Sequence, residues 1–259
     1  MNMNILEKIV TDKRKELEFS KNNFEVSEFE KSKYFNRNTL SFSKSIIEKS
    51  GIISEFKRQS PSKGIINNSS KIEEVTLGYE KAGVSALSIL TNEKYFGGKT
   101  EDIISVRDQI NIPILRKEFI VDEYQIFEAK AMGADAILLI ASVLKKNEIL
   151  SFSKLAKLLG LEILLEIHNE KELSAINRYV DCVGVNNRNL KTFDVDIQNS
   201  IDLSEKVPKD FVKISESGIS SVSAINTLKE YGYQGFLIGE NFMKTDNPAK
   251  ACQEFIKEL

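Results

Sequence analysis

Short apolar runs rich in β-branched residues recur along the chain from residue 52 onward, and segments with helical spacing separate them. The eight runs read IISEF, VSALSIL, IPILR, ADAILLI, LEILLEI, VDCVGV, FVKIS and GFLIG. They are apolar on both faces, which is typical of buried parallel strands. Strand and helix alternating eight times predict an α/β fold of the (β/α)8 TIM-barrel type. A doubly wound open sheet is the alternative, and the lack of a G-x-G-x-x-G turn after any strand weakens it.

Helix starts and stops fit the same alternation. Three segments have the spacing of a helix N-terminal box, namely Ser70-x-x-Glu73, Asp122-x-x-Gln125 and Asn169-x-x-Glu172. Glycines stand where four of the helices should end, just before the next strand, at Gly83, Gly133, Gly160 and Gly232.

The first part of the chain precedes this repeating pattern. Residues 4–20 predict an amphipathic helix, which Asn22 and Asn23 should end. Phe42, Ile46 and Ile47 predict a second, short helix before the first strand. We therefore expect residues 1–47 to form an N-terminal helical extension that packs on the body as a lid or plug. No linker or low-complexity tract interrupts the chain, so we expect residues 1–259 to form one domain.

Composition narrows the classes of protein. Of 259 residues, 41% are hydrophobic and 29% charged, which allows a sizeable core, and the net charge of −2 gives no basic excess for nucleic acid or an anionic membrane. Two well-separated cysteines indicate a reducing compartment. We find no signal-peptide pattern and no apolar run near the ~18 residues of a membrane span. We expect a cytoplasmic protein, most simply a monomer, without nucleic acid or membrane partners.

Candidate chemistry begins in the stretch Ile52–Gly64. Glu55 and Lys57 are two residues apart, so in a strand they point to the same side, and turn residues follow them. Taken alone, such a pair is equally typical of a solvated strand end. The chain has one histidine, His168, which excludes sites that need two histidines, including the usual zinc enzymes. We therefore expect no metal and proton transfer by Lys, Glu, Asp or Tyr.

Further strand ends carry charge in the same way. Lys117 ends the third strand, Glu166 the fifth, and Glu216 the seventh, while Asn186 and Arg188 share one side of the sixth. In a (β/α)8 barrel the carboxyl ends of the strands meet at one mouth, where chemistry is found. Clustered ionisable groups in such a cleft shift each other's pKa, which predicts a lysine–glutamate proton-transfer site.

The loops after the last two strands predict a phosphate site. Ser217 and Gly218 follow the seventh strand, and Gly239 and Glu240 follow the eighth. In this architecture these two loops often bind phosphate through backbone N–H groups, and glycine allows the anion to approach the backbone. Two ordinary strand-to-helix turns are the alternative.

Seven ordered motifs, together with the N-terminal ILEKIVTDKRKEL, resemble the indole-3-glycerol phosphate synthase family. They are SEFKRQSPSKG, LSILTNEKYFGG, PILRKEFIVDEYQI, LLEIHNEKEL, VGVNNRNL, ISESGI and FLIGENFM. The resemblance covers the barrel from Ile52 to Met243. It implies a lyase of tryptophan biosynthesis that converts 1-(2-carboxyphenylamino)-1-deoxyribulose 5-phosphate to indole-3-glycerol phosphate, with loss of carbon dioxide and water, and no cofactor.

The same resemblance implies roles for individual residues. Lys117 is similar to the general acid of ring closure, Glu166 to a catalytic glutamate, and Glu55 with Lys57 to the pair that handles the carboxylate and later proton transfers. The remaining polar wall would be Asn186, Arg188 and Glu216. The phosphate cradle would be Ser60, Ser217, Gly218, Gly239 and the Glu240 amide, and the aromatic wall Phe96 and Phe119.

Two residues and two rival functions stay open at this point. Glu240 is acidic where some family members have serine, so we expect only its backbone N–H to face a phosphate. His168 follows Glu166 by two and is interpreted as a supporting or structural residue. The rivals are a Schiff-base aldolase that uses Lys57 or Lys117 and a non-catalytic barrel that binds a phosphorylated ligand.

Overall fold

The computed structural model of the chain describes residues 4–189 and 192–259. Two predictions touch residues outside these ranges. Met1–Met3 belong to the predicted N-terminal extension, and Leu190 ends the VGVNNRNL motif; these residues and Lys191 are not discussed further.

Eight parallel strands close into a barrel, which confirms the predicted (β/α)8 TIM fold and rules out the open sheet. Each strand pairs with its neighbour in the chain, and the eighth pairs with the first. The strands are β1 (Ile52–Phe56), β2 (Ala86–Leu90), β3 (Ile114–Lys117), β4 (Ala136–Ile140), β5 (Glu162–Ile167), β6 (Cys182–Asn186), β7 (Val212–Glu216) and β8 (Gly235–Ile238). Two-residue strands at Gln59–Ser60 and Gly64–Ile65 form a small hairpin after β1.

Side chains alternate between the barrel interior and the layer under the helices, as the period of a strand requires. Ile53 of β1 packs inside the barrel with Leu115, Leu164 and Ile214. Its neighbours Ile52 and Phe56 instead pack outward against the helical layer. The alternation carries Glu55 to the inner face, at the carboxyl end of the strand, where the barrel opens.

Among the residues that the structure describes, three helices precede β1, and the others follow the strands around the barrel. They are α1 (Ile5–Asn23), α2 (Val26–Phe29), α3 (Phe42–Glu48), α4 (Ile72–Ala82), α5 (Glu93–Phe96), α6 (Thr100–Arg107), α7 (Tyr124–Met132), α8 (Lys146–Leu158), α9 (Gln198–Leu203), α10 (Val222–Glu230), α11 (Glu240–Met243) and α12 (Pro248–Lys257). The connection after β5 is a 3-10 helix, Glu170–Ala175. Within the described residues, no helix combines the length and apolar character needed to span a membrane.

Two predicted helix boundaries are wrong. The first helix continues through Asn22 and Asn23 instead of stopping before them, because the Asn23 side-chain amide donates to the Phe19 carbonyl and completes the last turn. Ser70 does not cap α4, which begins at Ile72. Instead, the Asn67 side chain accepts the Ser70 backbone N–H and holds the loop before the helix.

The other predicted boundaries are confirmed. Asp122 accepts the Tyr124 N–H, and Gln125 accepts the Asp122 N–H at 3.2 Å, so the two side chains support the start of α7 reciprocally. Asn169 likewise accepts from Lys171 at the start of the 3-10 helix. All four predicted stop glycines, Gly83, Gly133, Gly160 and Gly232, have positive φ. A left-handed residue ends a helix at little cost only when it is glycine.

The N-terminal segment contacts both ends of the barrel. Phe42 and Ile46 of α3 are buried at the amino end, in the same cluster as Ile53 and Cys182. Full burial of such side chains contributes about 1.5–3 kcal/mol each. Helix α1 lies at the opposite end, where its Lys13 ammonium is 3.2 Å from Glu118, just beyond β3. The segment therefore closes the bottom of the barrel and reaches its mouth.

Candidate active site

A cavity of about 550 Å³ opens at the carboxyl end of the barrel. All fourteen residues singled out in the sequence line this cavity. They are Glu55, Lys57, Ser60, Phe96, Lys117, Phe119, Glu166, Asn186, Arg188, Glu216, Ser217, Gly218, Gly239 and Glu240. The strand ends that carry them converge because parallel strands of a barrel share one mouth. Their chemical roles stay predictions.

Lys117 is at the centre of the charged groups. Its ammonium lies 2.5 Å from Glu216 Oε2 and 3.6 Å from Glu166 Oε2, and the side chain is only 14% exposed. Burial by itself lowers the pKa of this lysine, but the carboxylates of Glu216, Glu166 and Glu55 outweigh burial and raise it. Lys117 therefore stays protonated at neutral pH and is suited to donate a proton, not to attack as a neutral amine.

Glu55 and Lys57 form a second ion pair in the same mouth. Lys57 Nζ is 2.8 Å from Glu55 Oε1, and the Ser88 hydroxyl donates to the other carboxylate oxygen at 3.4 Å. Burial raises the pKa of Glu55, but Lys57 and Lys117 together outweigh it, so the pKa lies below its usual value. Glu55 is 5% exposed, which rules out the alternative of a solvated strand end.

Glu216 is the carboxylic acid whose pKa departs furthest toward neutrality. Burial raises its pKa from 4.5 to about 7; Lys117 opposes this effect and Glu166 adds to it. Glu216 Oε1 is buried and makes no hydrogen bond within the described residues. A Cβ on Gly184 would lie 2.1 Å from this oxygen, so the glycine on β6 leaves the room that Glu216 occupies.

Glu166 is held from the side of β6. The Asn186 side-chain amide donates to Glu166 Oε1 at 3.1 Å, and the Arg188 backbone N–H in turn donates to Asn186 Oδ1 at 2.9 Å. His168, two residues beyond Glu166, has its Nε2 3.3 Å from the same carboxylate oxygen. The Glu166 carboxylate therefore contacts Lys117 through one oxygen and Asn186 and His168 through the other.

The loop after β7, where an anion site is predicted, has an unusual backbone. Ser217 and Gly218 are both left-handed, with φ of 69° and 77°. This conformation is costly for serine, and strain of this kind is concentrated at functional sites. A Cβ on Gly239 would lie 2.5 Å from Glu55 Oε1, so that glycine allows β1 and β8 to approach closely at the mouth.

The Glu240 side chain lies at the cavity rim. Its two oxygens are 3.7 Å from Lys63 and 3.9 Å from Arg188, and the side chain is 35% exposed. Two cations therefore neutralise the carboxylate beside the predicted phosphate loops. That only its backbone N–H faces a phosphate stays a prediction.

One wall of the cavity is apolar. The rings of Phe96 and Phe119 have centroids 6.0 Å apart, as expected for the predicted aromatic wall. Ile5, Leu6 and Ile9 of α1 also line the cavity, which the sequence did not indicate. Their apolar stripe gives the signal for an amphipathic helix, but it does not specify the surface on which the helix packs.

The sequence pattern also does not indicate a buried network of hydrogen bonds and charges around Glu118, the residue after Lys117. Glu118 accepts hydrogen bonds from the Asn92 side chain and from the Phe119 backbone, in addition to its contact with Lys13. Lys13 is 4% exposed and lies between the buried Ile9 and Leu17 on one face of α1. A lysine within an apolar stripe is the signal that could have revealed this ion pair.

No group of three or more histidine, cysteine and acidic residues in the described part of the chain is arranged to hold a metal ion. The barrel and its charged, glycine-edged mouth define the class of (β/α)8-barrel enzymes. Within that class, the model of the family described as "Indole-3-glycerol phosphate synthase" matches residues 6–255. The chain belongs to the indole-3-glycerol phosphate synthase family.

Relatives agree with this assignment along nearly the whole chain. The indole-3-glycerol phosphate synthase of Bacteroides thetaiotaomicron is 45% identical over 256 residues and is covered to 98%, as is this chain. The enzyme of the same name from Endomicrobium trichonymphae is 41% identical, with 96% of this chain and 98% of the relative covered.

Solved structures support the fold alone. A chain of the tryptophan synthase α2β2 complex of Pyrococcus furiosus superposes with a TM-score of 0.61 at 14% identity and covers 82% of this chain and 98% of its own. The 3-hexulose-6-phosphate synthase of Salmonella typhimurium gives a TM-score of 0.63 at 13% identity, with 80% and 98% covered. Both likenesses are consistent with the closed barrel.

Proposed function

We propose that the chain converts 1-(2-carboxyphenylamino)-1-deoxyribulose 5-phosphate to indole-3-glycerol phosphate, as a carboxy-lyase of tryptophan biosynthesis. The observation that carries the proposal is the pairing of Lys117 with Glu216 and Glu166 inside a cavity that also holds the Glu55–Lys57 pair. Membership in the family supplies the substrate and the product.

The first step closes the ring. The ring carbon that bears the carboxylate attacks the ketone carbon, and the ketone oxygen develops negative charge and takes a proton. Lys117 is buried, cationic and held by two carboxylates, which suits a positioned general acid. Glu166, 3.6 Å from this ammonium, keeps it oriented and favours its charged form.

The next steps remove carbon dioxide and water. Loss of carbon dioxide restores the aromatic ring after positive charge has developed on the nitrogen, and the Glu55 or Glu166 carboxylate can stabilise that cation. Dehydration then needs an acid for the leaving hydroxyl and a base for the adjacent proton. Lys57 and Lys117 are both candidates for the acid, and Glu55 is paired with the first of them.

The remaining cavity residues bind the two ends of the substrate. We propose that Ser60 and the loops at Ser217, Gly218, Gly239 and the Glu240 amide hold the phosphate, on the support of the left-handed backbone after β7. Phe96 and Phe119 would pack on the substrate's aromatic ring, while Asn186 and Arg188 complete the polar wall. Because all these residues come from one chain, we also propose that the protein acts as a monomer. We further propose that residues 1–47 and the barrel form a single domain and that the protein is cytoplasmic.

A fluorescence assay for formation of the indole ring of indole-3-glycerol phosphate from the anilino-ribulose phosphate tests the function directly. Turnover is expected without an added cofactor. A barrel that only binds phosphorylated ligands would show binding but no indole fluorescence. A Schiff-base aldolase would form a covalent lysine adduct that borohydride traps in the presence of substrate, and the raised pKa of Lys117 argues against such an adduct there.

Glu166→Gln is expected to bind the phosphorylated product but to turn over poorly. The amide keeps the size of the side chain and an oxygen that can accept from the Asn186 amide, but it removes the negative charge next to Lys117. We expect kcat to fall by about 10²-fold, the lower range for a residue in proton transfer, with a smaller change in KM. Near wild-type kcat would exclude Glu166 from the mechanism.

Gly218→Asp and Gly239→Asp are expected to raise KM by more than about tenfold, because each adds negative charge where the phosphate should bind. Gly239→Asp should also lower kcat, since its Cβ would meet the Glu55 carboxylate. Gly83→Asp is the control for backbone strain in Gly218→Asp, because Gly83 is left-handed like Gly218 but has open space around its Cβ. Unchanged KM in both mouth variants would contradict the placement of the phosphate.

A further inference from the structure

His168 lies between two carboxylates that belong to different elements. Its Nε2 is 3.3 Å from Glu166 Oε1, at the end of β5, and its Nδ1 is 3.6 Å from Glu172 Oε2, in the 3-10 helix. The side chains of His168, Glu166 and Glu172 are 12%, 6% and 15% exposed. Both ring nitrogens are buried and make no hydrogen bond within the described residues.

The surroundings of the ring favour its cationic form. Glu172 is itself fixed, since it accepts the His168 backbone N–H at 2.7 Å and the Asn169 side-chain amide at 2.6 Å. Glu216 on β7 adds a third negative charge at longer range. The neighbouring polar groups from β6 and α9 are neutral: Asn186 donates to Glu166, and Asn199 donates to the His168 carbonyl.

We propose that His168 is a positioning residue: held by Glu172, its imidazolium fixes the Glu166 carboxylate at the distance from Lys117 that ring closure needs. The proposal rests on the proposed function of Glu166. It adds a buried line of alternating charges, from Glu172 through His168 and Glu166 to Lys117, that runs from beside the barrel into the mouth.

The physical reason is competition for Lys117. Glu216 contacts this ammonium at 2.5 Å, whereas Glu166 stands off at 3.6 Å. Without a cation on its other side, Glu166 would be drawn toward the ammonium and would lose its own orientation. A neutral Asn186 amide donates one hydrogen bond to Glu166, which is weaker than the attraction of a buried charge.

This arrangement makes the effect of His168 dependent on pH. Burial lowers the pKa of His168, but Glu172 and Glu166 outweigh it, so the pKa lies above 6.5. The imidazolium is therefore complete at pH values below the ordinary histidine range and is lost as the pH rises through the raised pKa. Above that pH, the wild type and a variant without the imidazole should become similar.

The first test measures the titration of the ring. Because the chain has one histidine, its imidazole proton resonances are unambiguous in NMR spectra recorded from about pH 5 to about pH 9. We expect Glu172→Gln to lower the pKa of His168 by roughly one unit, the usual effect of losing an opposite charge at this distance. Glu170→Gln is the matched control, because this exposed acid of the same 3-10 helix pairs with Lys206 and not with His168.

The second test measures kcat and KM across the same pH range. His168→Asn should lower kcat roughly tenfold at low pH, less than the ~10²-fold that a 1 Å misplacement can cost, with little change in KM. Glu172→Gln should lower kcat mainly between the lowered pKa of His168 in this variant and its pKa in the wild type. The ratio of wild-type kcat to variant kcat should fall toward one as the pH rises through the pKa of His168. His168→Gln has a neutral amide that can donate to Glu166, so it should recover part of the loss but none of the pH dependence. The double variant His168→Asn/Glu172→Gln should have the same kcat as His168→Asn, because both changes disrupt the same chain of contacts from Glu172 through His168 to Glu166.

The outcomes separate this proposal from the proposed function. If the wild type is active, two results would overturn the positioning role and leave the proposed activity in place. One is an unchanged pKa of His168 in Glu172→Gln, and the other is a loss of kcat in His168→Asn that is the same at every pH. Absence of indole formation by the wild type would overturn the proposed function and, with it, the role of His168.

Discussion

Lys117→Met is expected to lower kcat by at least ~10²-fold, the lower range for a positioned general acid. The alkoxide that forms on the substrate during ring closure then has no proton donor at the position held by the Lys117 ammonium. Substrate affinity should fall less, because the groups proposed to hold the phosphate are on other loops. Steady-state kinetics with indole fluorescence as the signal measures both quantities.

Two further lysine variants identify the cause. Lys117→Arg keeps a cation next to Glu216, but its larger planar guanidinium cannot place a donor where the compact ammonium is held, so its kcat should stay low while the protein stays folded. Lys154→Met removes an exposed lysine on α8 and should leave kcat unchanged. Wild-type kcat in Lys117→Arg would mean that positive charge suffices, and near wild-type kcat in Lys117→Met would remove Lys117 from the mechanism.

Lys117→Met should also change the free energy of unfolding in a pH-dependent way. The pKa of Glu216 is about 7 in the folded protein and 4.5 for an ordinary glutamate, so the folded state binds this proton more tightly. Glu216 by itself therefore lowers the free energy of unfolding as pH rises from about 4.5 to about 7. Lys117 opposes that loss, so Lys117→Met should be destabilised more at about pH 8 than at about pH 6, which urea unfolding at the two pH values measures.

Asp135→Asn is expected to cost about 3–5 kcal/mol of stability, the usual range when one partner of a buried ion pair is removed. Asp135 is fully buried at the start of β4, and its carboxylate accepts from Arg37 at 2.6 Å and from Arg107 at 2.7 Å. It also accepts the backbone N–H groups of Leu40 and Ile114. An amide leaves two guanidinium groups without a counter-charge, and the Arg107 side chain is only 3% exposed.

Urea unfolding monitored by circular dichroism measures this loss. Asp108→Asn is the control, since Asp108 pairs with Lys33 on the surface, where both side chains are more than half exposed. The control should unfold close to the wild type. Because Asp135 lies at the amino end of the barrel, away from the cavity, kcat of the folded fraction should be unchanged. Equal stability of the two variants would show that the Asp135 network does not stabilise the fold.

Several features of the site could be predicted from local pattern. The two-residue period of a strand puts Glu55 and Lys57 on one side, and the position of Lys117 at the end of β3 directs it to the mouth. The glycines after β7 and β8 were recognisable because Gly218 has a left-handed backbone and Gly239 allows a close approach to Glu55, and both features favour glycine. Glu118 and Lys13 were missed, since a buried ion pair between distant segments leaves no periodic pattern in either one.

By itself, the sequence determined the number and order of the strands, which charged residues stand at their carboxyl ends, and that Glu55 and Lys57 share one side. These properties follow from the spacing of neighbouring residues, which local backbone geometry converts directly into direction. The tertiary structure alone decided which charges meet. Lys117 and Glu216 are 99 residues apart, and Arg37 and Asp135 are 98 apart. The raised pKa of Glu216 and the contact of His168 with Glu166 depend on burial and on charges from several strands, and only closure of the barrel brings these together.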